Sequence, residues 1–249
     1  MHKPRLICTP LTPLTAVQYT MQSAKDKQYD ISIDFLLNYI DRNPPSSFLS
    51  RCLSYLFCQI YDFENAFLWI NKSLDLDSSC SDTYAQQGLI YICLQQHGCA
   101  ETAYRKSIII NPTSSLANCG LGLIYFAKNE IELSVEYFSR AYHFSPPNES
   151  LSILYARALM EANQYETALK ELDHLMIVNL ASYRSFELLG ELYLIMDNVD
   201  LAKSMFEAAL IDRPDSSPDY VRAKLGLART LLRTNHFEDA DSLLNNVIA

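Results

Sequence analysis

Four columns of residues, each sampled at steps of thirty-four along the chain, keep their chemistry, and this period constrains the fold more than any other feature. Stepping back from Gly190 gives Ala156, Gly122, Gly88, Ser54 and Thr20, all small. From Ala202 the same step gives Ala168, Ser134, Ala100, Ala66 and Ser32, small again. Phe206 leads to Leu172, Phe138, Tyr104, Ile70 and Leu36, all large and apolar. Pro214 leads to Leu180, Pro146, Pro112, Ser78 and Pro44. Self-similarity at such a period means stacked units, each burying its apolar face against a neighbour.

Within one copy, apolar residues recur at helical spacing over two stretches separated by a polar break: "NE" at 129–130, "NQ" at 163–164, "DN" at 197–198. The proline ends the second stretch, because the residue before a proline is driven out of helical geometry. Each unit is therefore expected to be a helical hairpin. Gly190 sits inside its first helix, where glycine costs about 1 kcal/mol relative to alanine. Its position opposite Ala202 suggests a helix crossing, where small residues let two backbones approach closely.

A hairpin of this length with Gly, Tyr, Ala, Phe and Pro at these offsets resembles the tetratricopeptide repeat. The best copy carries Leu189, Gly190, Tyr193, Ala202, Phe206, Ala209 and Pro214. The resemblance implies an all-α fold, a right-handed superhelical solenoid of such hairpins. An N-terminal extension, 1–12, precedes units at 13–46, 47–80, 81–114, 115–148, 149–182 and 183–216. An insertion, "SPDY" at 217–220, leads to a shortened unit at 221–249. Two copies depart from the pattern. The first has Thr20 and Ser32 in its small columns, and the one at 149–182 has Leu180 in place of proline. The second helix of that copy is expected either to run on or to turn differently.

Other function classes find little support. The net charge is −9, and no basic cluster exceeds two adjacent residues, so nucleic acid is not an expected partner. The seven cysteines contain no CxxC pair and match no zinc spacing. No metal or other cofactor is expected, and reduced thiols in a cytoplasmic protein are. No apolar run is long enough for a membrane span or a signal peptide. GxSxG, P-loop, HExxH and GxGxxG motifs are all missing, so an enzyme is not expected. "GLG" at 120–122 places Gly122 in the small column, which favours a packing role over phosphate binding.

What remains is surface. In the resembled family the first helix of each unit lines a concave groove, and its inward positions can be read from each copy. Copies in the N-terminal half offer Phe48, Tyr55, Cys58, Leu89, Ile92, Leu116, Leu123 and Phe126. Later copies offer Arg157, Glu161, Arg184, Glu187, Glu191, Arg222, Arg229 and Arg233. The expected groove is apolar at one end and arginine-rich at the other, suited to an amphipathic helix or extended peptide of a partner protein. The lysine–asparagine clamp with which co-chaperones of the family grip a terminal carboxylate has no counterpart, because the sixth positions hold Gln18, Cys52, Gln86, Gly120, Leu154, Leu188 and Gly226. The last helix carries Leu243, Leu244, Val247 and Ile248, more apolar surface than one hairpin covers, so this end is expected to pair with a partner or with another copy in a homo-oligomer, or to fray. A scaffold for complex assembly is the expected function, by analogy with pilus, secretion or envelope machinery. A self-associating platform is the alternative.

Overall fold

The computed structural model describes residues 18, 20, 28–211 and 218–248. Thirteen helices are described: α1 (Tyr29–Ile40), α2 (Ser47–Gln59), α3 (Phe63–Leu76), α4 (Ser81–Cys93), α5 (His97–Ile110), α6 (Ser115–Ala127), α7 (Ile131–His143), α8 (Glu149–Glu161), α9 (Tyr165–Ile177), α10 (Tyr183–Ile195), α11 (Val199–Leu210), α12 (Pro218–Arg233) and α13 (Phe237–Ile248). No strand occurs among the described residues. The fold is an all-α solenoid of helical hairpins. The N-terminal extension 1–12 and most of the first helix of the first unit lie outside the described residues.

The chain divides into two compact units, one ending at Gly120 and one starting at Leu121. In the first, α2 packs on α3 and α4 on α5, and neighbouring hairpins meet through α3 and α4. Leu36, Leu49, Leu53, Ile70 and Ile90 are buried at its centre. In the second, α8 packs on α9, α10 on α11 and α12 on α13, and the first helices α8, α10 and α12 touch in succession. Phe206, Leu227, Leu231 and Ala240 are buried together there.

The two small columns meet where each hairpin crosses. Ser54 Oγ donates to the Ala66 carbonyl at 2.8 Å, and Ser134 Oγ donates to the Gly122 carbonyl at 2.9 Å. The glycines themselves serve a further purpose. A Cβ on Gly190 would stand 2.7 Å from Phe206 Cε1, and one on Gly88 would stand 2.6 Å from Tyr104 Cε1. The space a side chain would fill holds the aromatic ring of the large column. The first helix of the next unit also closes on the ring: a Cβ on Gly226 would stand closer still to Phe206 Cε1, and one on Gly120 closer still to Tyr104 Cζ. Each of these rings touches two glycine backbones. The helix-crossing explanation of Gly190 is thus incomplete, because the ring sets the demand for no side chain.

Each polar break is a left-handed turn. Tyr61, Gln95, Asn129, Asn163 and Asp197 have φ near +60°, one per period, and Asn235 follows after the insertion. The closure is the two-bond motif that satisfies orphan carbonyls at a helix end. In the first such turn the Tyr61 amide donates to Cys58 and the Asp62 amide to Phe57. The unit lacking a proline uses the same device at its far end. Asn179 has φ 54°, its amide donates to Met176 and that of Leu180 donates to Leu175, so α9 stops at Ile177 without proline. That helix therefore turns differently and does not run on. The insertion also behaves differently from expectation: α12 begins at Pro218, not at 221, and the added residues extend the helix. Proline suits a first helical position, which needs no amide hydrogen.

Candidate functional site

In the second unit, first-helix positions converge on a concave surface. A cavity of about 690 Å³ is lined by Glu191, Leu194 and Ile195 of α10 and by Arg222, Leu225, Arg229, Leu232 and Arg233 of α12, with Phe206 and Gly226 contributing. A second, of about 200 Å³, is lined by Ile153 and Arg157 of α8, Arg184 and Glu187 of α10, and Arg222. Arg222 borders both. Helical geometry explains the grouping: residues three, four and seven apart share a face, and Arg222, Leu225, Arg229, Leu232 and Arg233 follow that rhythm along α12.

The charges are unevenly committed. Glu187 is buried and pairs with Arg222 across 3.6 Å. Arg233 donates to the Leu194 carbonyl at 2.7 Å, in the last turn of α10, and lies 3.5 Å from Asp197. A cation there complements the negative end of the α10 dipole. Arg184 Nε donates to Tyr183 Oη at 2.9 Å. Arg157 and Arg229 are exposed and form no ion pair among the described residues. Around the two cavities, five arginines face two glutamates, one of them buried. Glu161, expected beside Arg157, is exposed but borders neither cavity.

The apolar positions divide by their place in the helix. In the first unit Phe48 is 39% exposed, Tyr55 37% and Leu116 46%. Leu89 and Ile92 are half-buried. In the second unit Leu123 is 38% exposed and Phe126 half-buried. Cys58 does not line a groove. It is buried with Leu53, Leu56 and Phe57, and burial pushes its thiol up to about 12. Burial likewise raises Cys52 and Cys119 to about 11. Cys52 and Cys58 are small core groups and Cys119 is half-buried, whereas Cys93 and Cys99 are exposed. The second position of each described first helix is exposed, whereas the twelfth is buried at Cys58 and Leu194, half-buried at Ile92 and Phe126, and exposed at Leu232.

At the far end, Leu243 packs against the cluster around Phe206 and Ala240, so it covers its own hairpin. Leu244 is half-buried, and the side chains of Val247 and Ile248 lie outside the described residues. No group of three or more His, Cys, Asp or Glu suited to a metal ion occurs among the described residues. None of the described helices is long and apolar enough to cross a membrane.

A stack of helical hairpins, with first helices that form an arginine- and leucine-lined surface in the second unit, defines a repeat solenoid. The chain carries tetratricopeptide repeats: models of that repeat match residues 116–148 and 193–249. DnaJ protein P58IPK homolog A of Oryza sativa subsp. japonica is 24% identical over 214 residues, 79% of this chain. The chain spans 44% of that relative, less than half its length. Type IV pilus assembly protein PilF of Pseudomonas aeruginosa is 30% identical over 131 residues, 52% of each chain. Among solved structures, PilW, described as a widely conserved type IV pilus biogenesis factor, has a TM-score of 0.68 at 15% identity. The match covers 82% of this chain and 94% of PilW.

Proposed function

We propose that this chain is a non-enzymatic scaffold that holds a segment of a partner protein against its first-helix surfaces and supports the assembly or stability of a multiprotein complex. The observation that carries the reading is the cavity of about 690 Å³ built by α10 and α12, where apolar side chains alternate with guanidinium groups. Leu225, Leu232 and Ile195 are 40%, 45% and 50% exposed in a folded chain, so covering each contributes about half of the roughly 1.5–3 kcal/mol that full burial of a large apolar side chain supplies. The exposed Phe48, Tyr55 and Leu116 offer a second, apolar surface in the first unit. Similarity to a pilus assembly protein supports a place in surface-appendage machinery. The cytoplasm is part of this proposal, and cell fractionation checks it.

Affinity purification from the native cell, with the parent chain beside Leu116→Glu and Leu232→Glu, tests the scaffold reading. Both residues are exposed, so the variants are expected to fold. A partner held by the parent and lost by one variant supports the reading and locates the surface. A partner recovered equally with both variants refutes it.

A further inference from the structure

The chemistry of the second-unit surface is narrower than that of a general protein-binding face, and its charge runs opposite to that of the chain. Five arginines border the two cavities, while the whole chain carries a net −9. No lysine is among them. Guanidinium groups are planar, present paired donors that match a carboxylate in bidentate fashion, and stay charged at any ordinary pH. Concave walls focus such a field and strengthen attraction for the opposite sign. Leu225, Leu232 and Ile195 are interleaved with the arginines and exposed. A bare polyanion such as nucleic acid would leave these apolar side chains uncovered.

We propose that the α8–α10–α12 surface docks an acidic, amphipathic segment of a partner protein, with side-chain carboxylates on Arg157 and Arg229 and apolar residues over Leu225 and Leu232. This rests on the scaffold reading and gives the partner its chemistry. Glu187 is buried beside Arg222 and Asp197 lies near Arg233. Arg157 and Arg229, which have no such neighbour among the described residues, therefore carry most of the attraction. Recognition is of side-chain carboxylates along the segment. The positions that would grip a chain terminus in the family's clamp hold Leu154, Leu188 and Gly226.

The probe is a fluorescein-labelled peptide of repeated Glu-Glu-Leu, titrated into the full chain and followed by polarisation. Its companions are a peptide with lysine for glutamate, the same acidic peptide with an amidated C-terminus, and a single-stranded oligonucleotide of similar charge. Saturable binding of the acidic peptide is expected, weakened by added salt as charged contacts are screened and unchanged by amidation. Arg157→Glu with Arg229→Glu is expected to weaken it at least tenfold, and Arg157→Gln with Arg229→Gln by less. Circular dichroism melting of both variants controls for folding. If the lysine peptide binds as well, if the charge-reversed variant binds normally, or if no peptide binds, the inference is overturned. The scaffold reading then stands or falls on the purification experiment alone. Tighter binding of the oligonucleotide overturns the acidic-protein assignment. Loss on amidation overturns the side-chain mode.

Discussion

Gly190→Ala tests the aromatic clamp most directly. A methyl group there would stand 2.7, 2.8 and 2.9 Å from three ring carbons of Phe206, against 3.4–4 Å for ordinary contact. The ring needs to retreat by more than half an ångström, yet it is already packed as closely against Gly226 and is 1% exposed. Overpacking of this kind costs about 1–3 kcal/mol, and the better helix propensity of alanine returns about 1 kcal/mol. The expected net effect is a destabilisation of up to about 2 kcal/mol, read by urea unfolding with circular dichroism. Gly98→Ala is the control, because nothing lies within 4 Å of a methyl group there. It lies in the first turn of α5, where the propensity gain is smaller than the roughly 1 kcal/mol of a helix interior, so Gly98→Ala is expected to be neutral to slightly stabilising and the two alanines to differ by up to about 2 kcal/mol. Removing the ring removes the conflict: in a Phe206→Leu background, Gly190→Ala is expected to become neutral or stabilising. The cycle should return a coupling of about 1–3 kcal/mol. Equal stabilisation by Gly190→Ala and Gly98→Ala would refute the clamp, and so would a coupling near zero.

Gln95→Asn is expected to stabilise the chain by up to about 1 kcal/mol in urea unfolding, since Gln95 holds φ 58° in a turn that uses Asn129 and Asn163 elsewhere. Thiol reagents on the native chain are expected to label Cys93 and Cys99 well before Cys52 and Cys58, as mass spectrometry of the digested protein reads out; comparable rates at Cys58 and Cys99 would contradict the burial. Burial lifts Cys58 from 9.0 to about 12, and Cys52 and Cys119 from 9.0 to about 11. The unfolded chain therefore loses these protons first, so stability is full below pH 9 and declines as pH rises from 9 toward 12. Urea midpoints across that window check this, with a shallower decline expected for Cys58→Ala.

The hairpins were legible because the period repeats four kinds of side chain, and steric demand at a crossing admits few alternatives. The arginine-rich surface was legible too, since Arg157, Arg184 and Arg229 occupy positions that turn outward in any such helix. The burial of Cys58 and Glu187 was not, because outward and inward positions differ by a fraction of a turn that only packing decides. Gly190 was read as a helix contact because a column of small residues names no neighbour. The clue was Gly226, also small and placed in the helix that follows Phe206. That pairing recurs with Tyr104 and Gly120 but not after Phe138, where Leu154 follows, so the pattern is too sparse to read unaided. Asn179 ended α9 where a proline was missing, a substitution of one stop signal for another that a search for prolines overlooks.

The aromatic ring shared between successive hairpins decides where the chain tolerates being cut. A fragment ending after α11 would strip the Phe206 ring of the α12 backbone at Gly226 that packs against it, whereas a fragment that keeps α12 retains that cover. The natural cassette for truncation, fusion or transplantation is thus three helices, offset from the hairpin that the sequence period outlines.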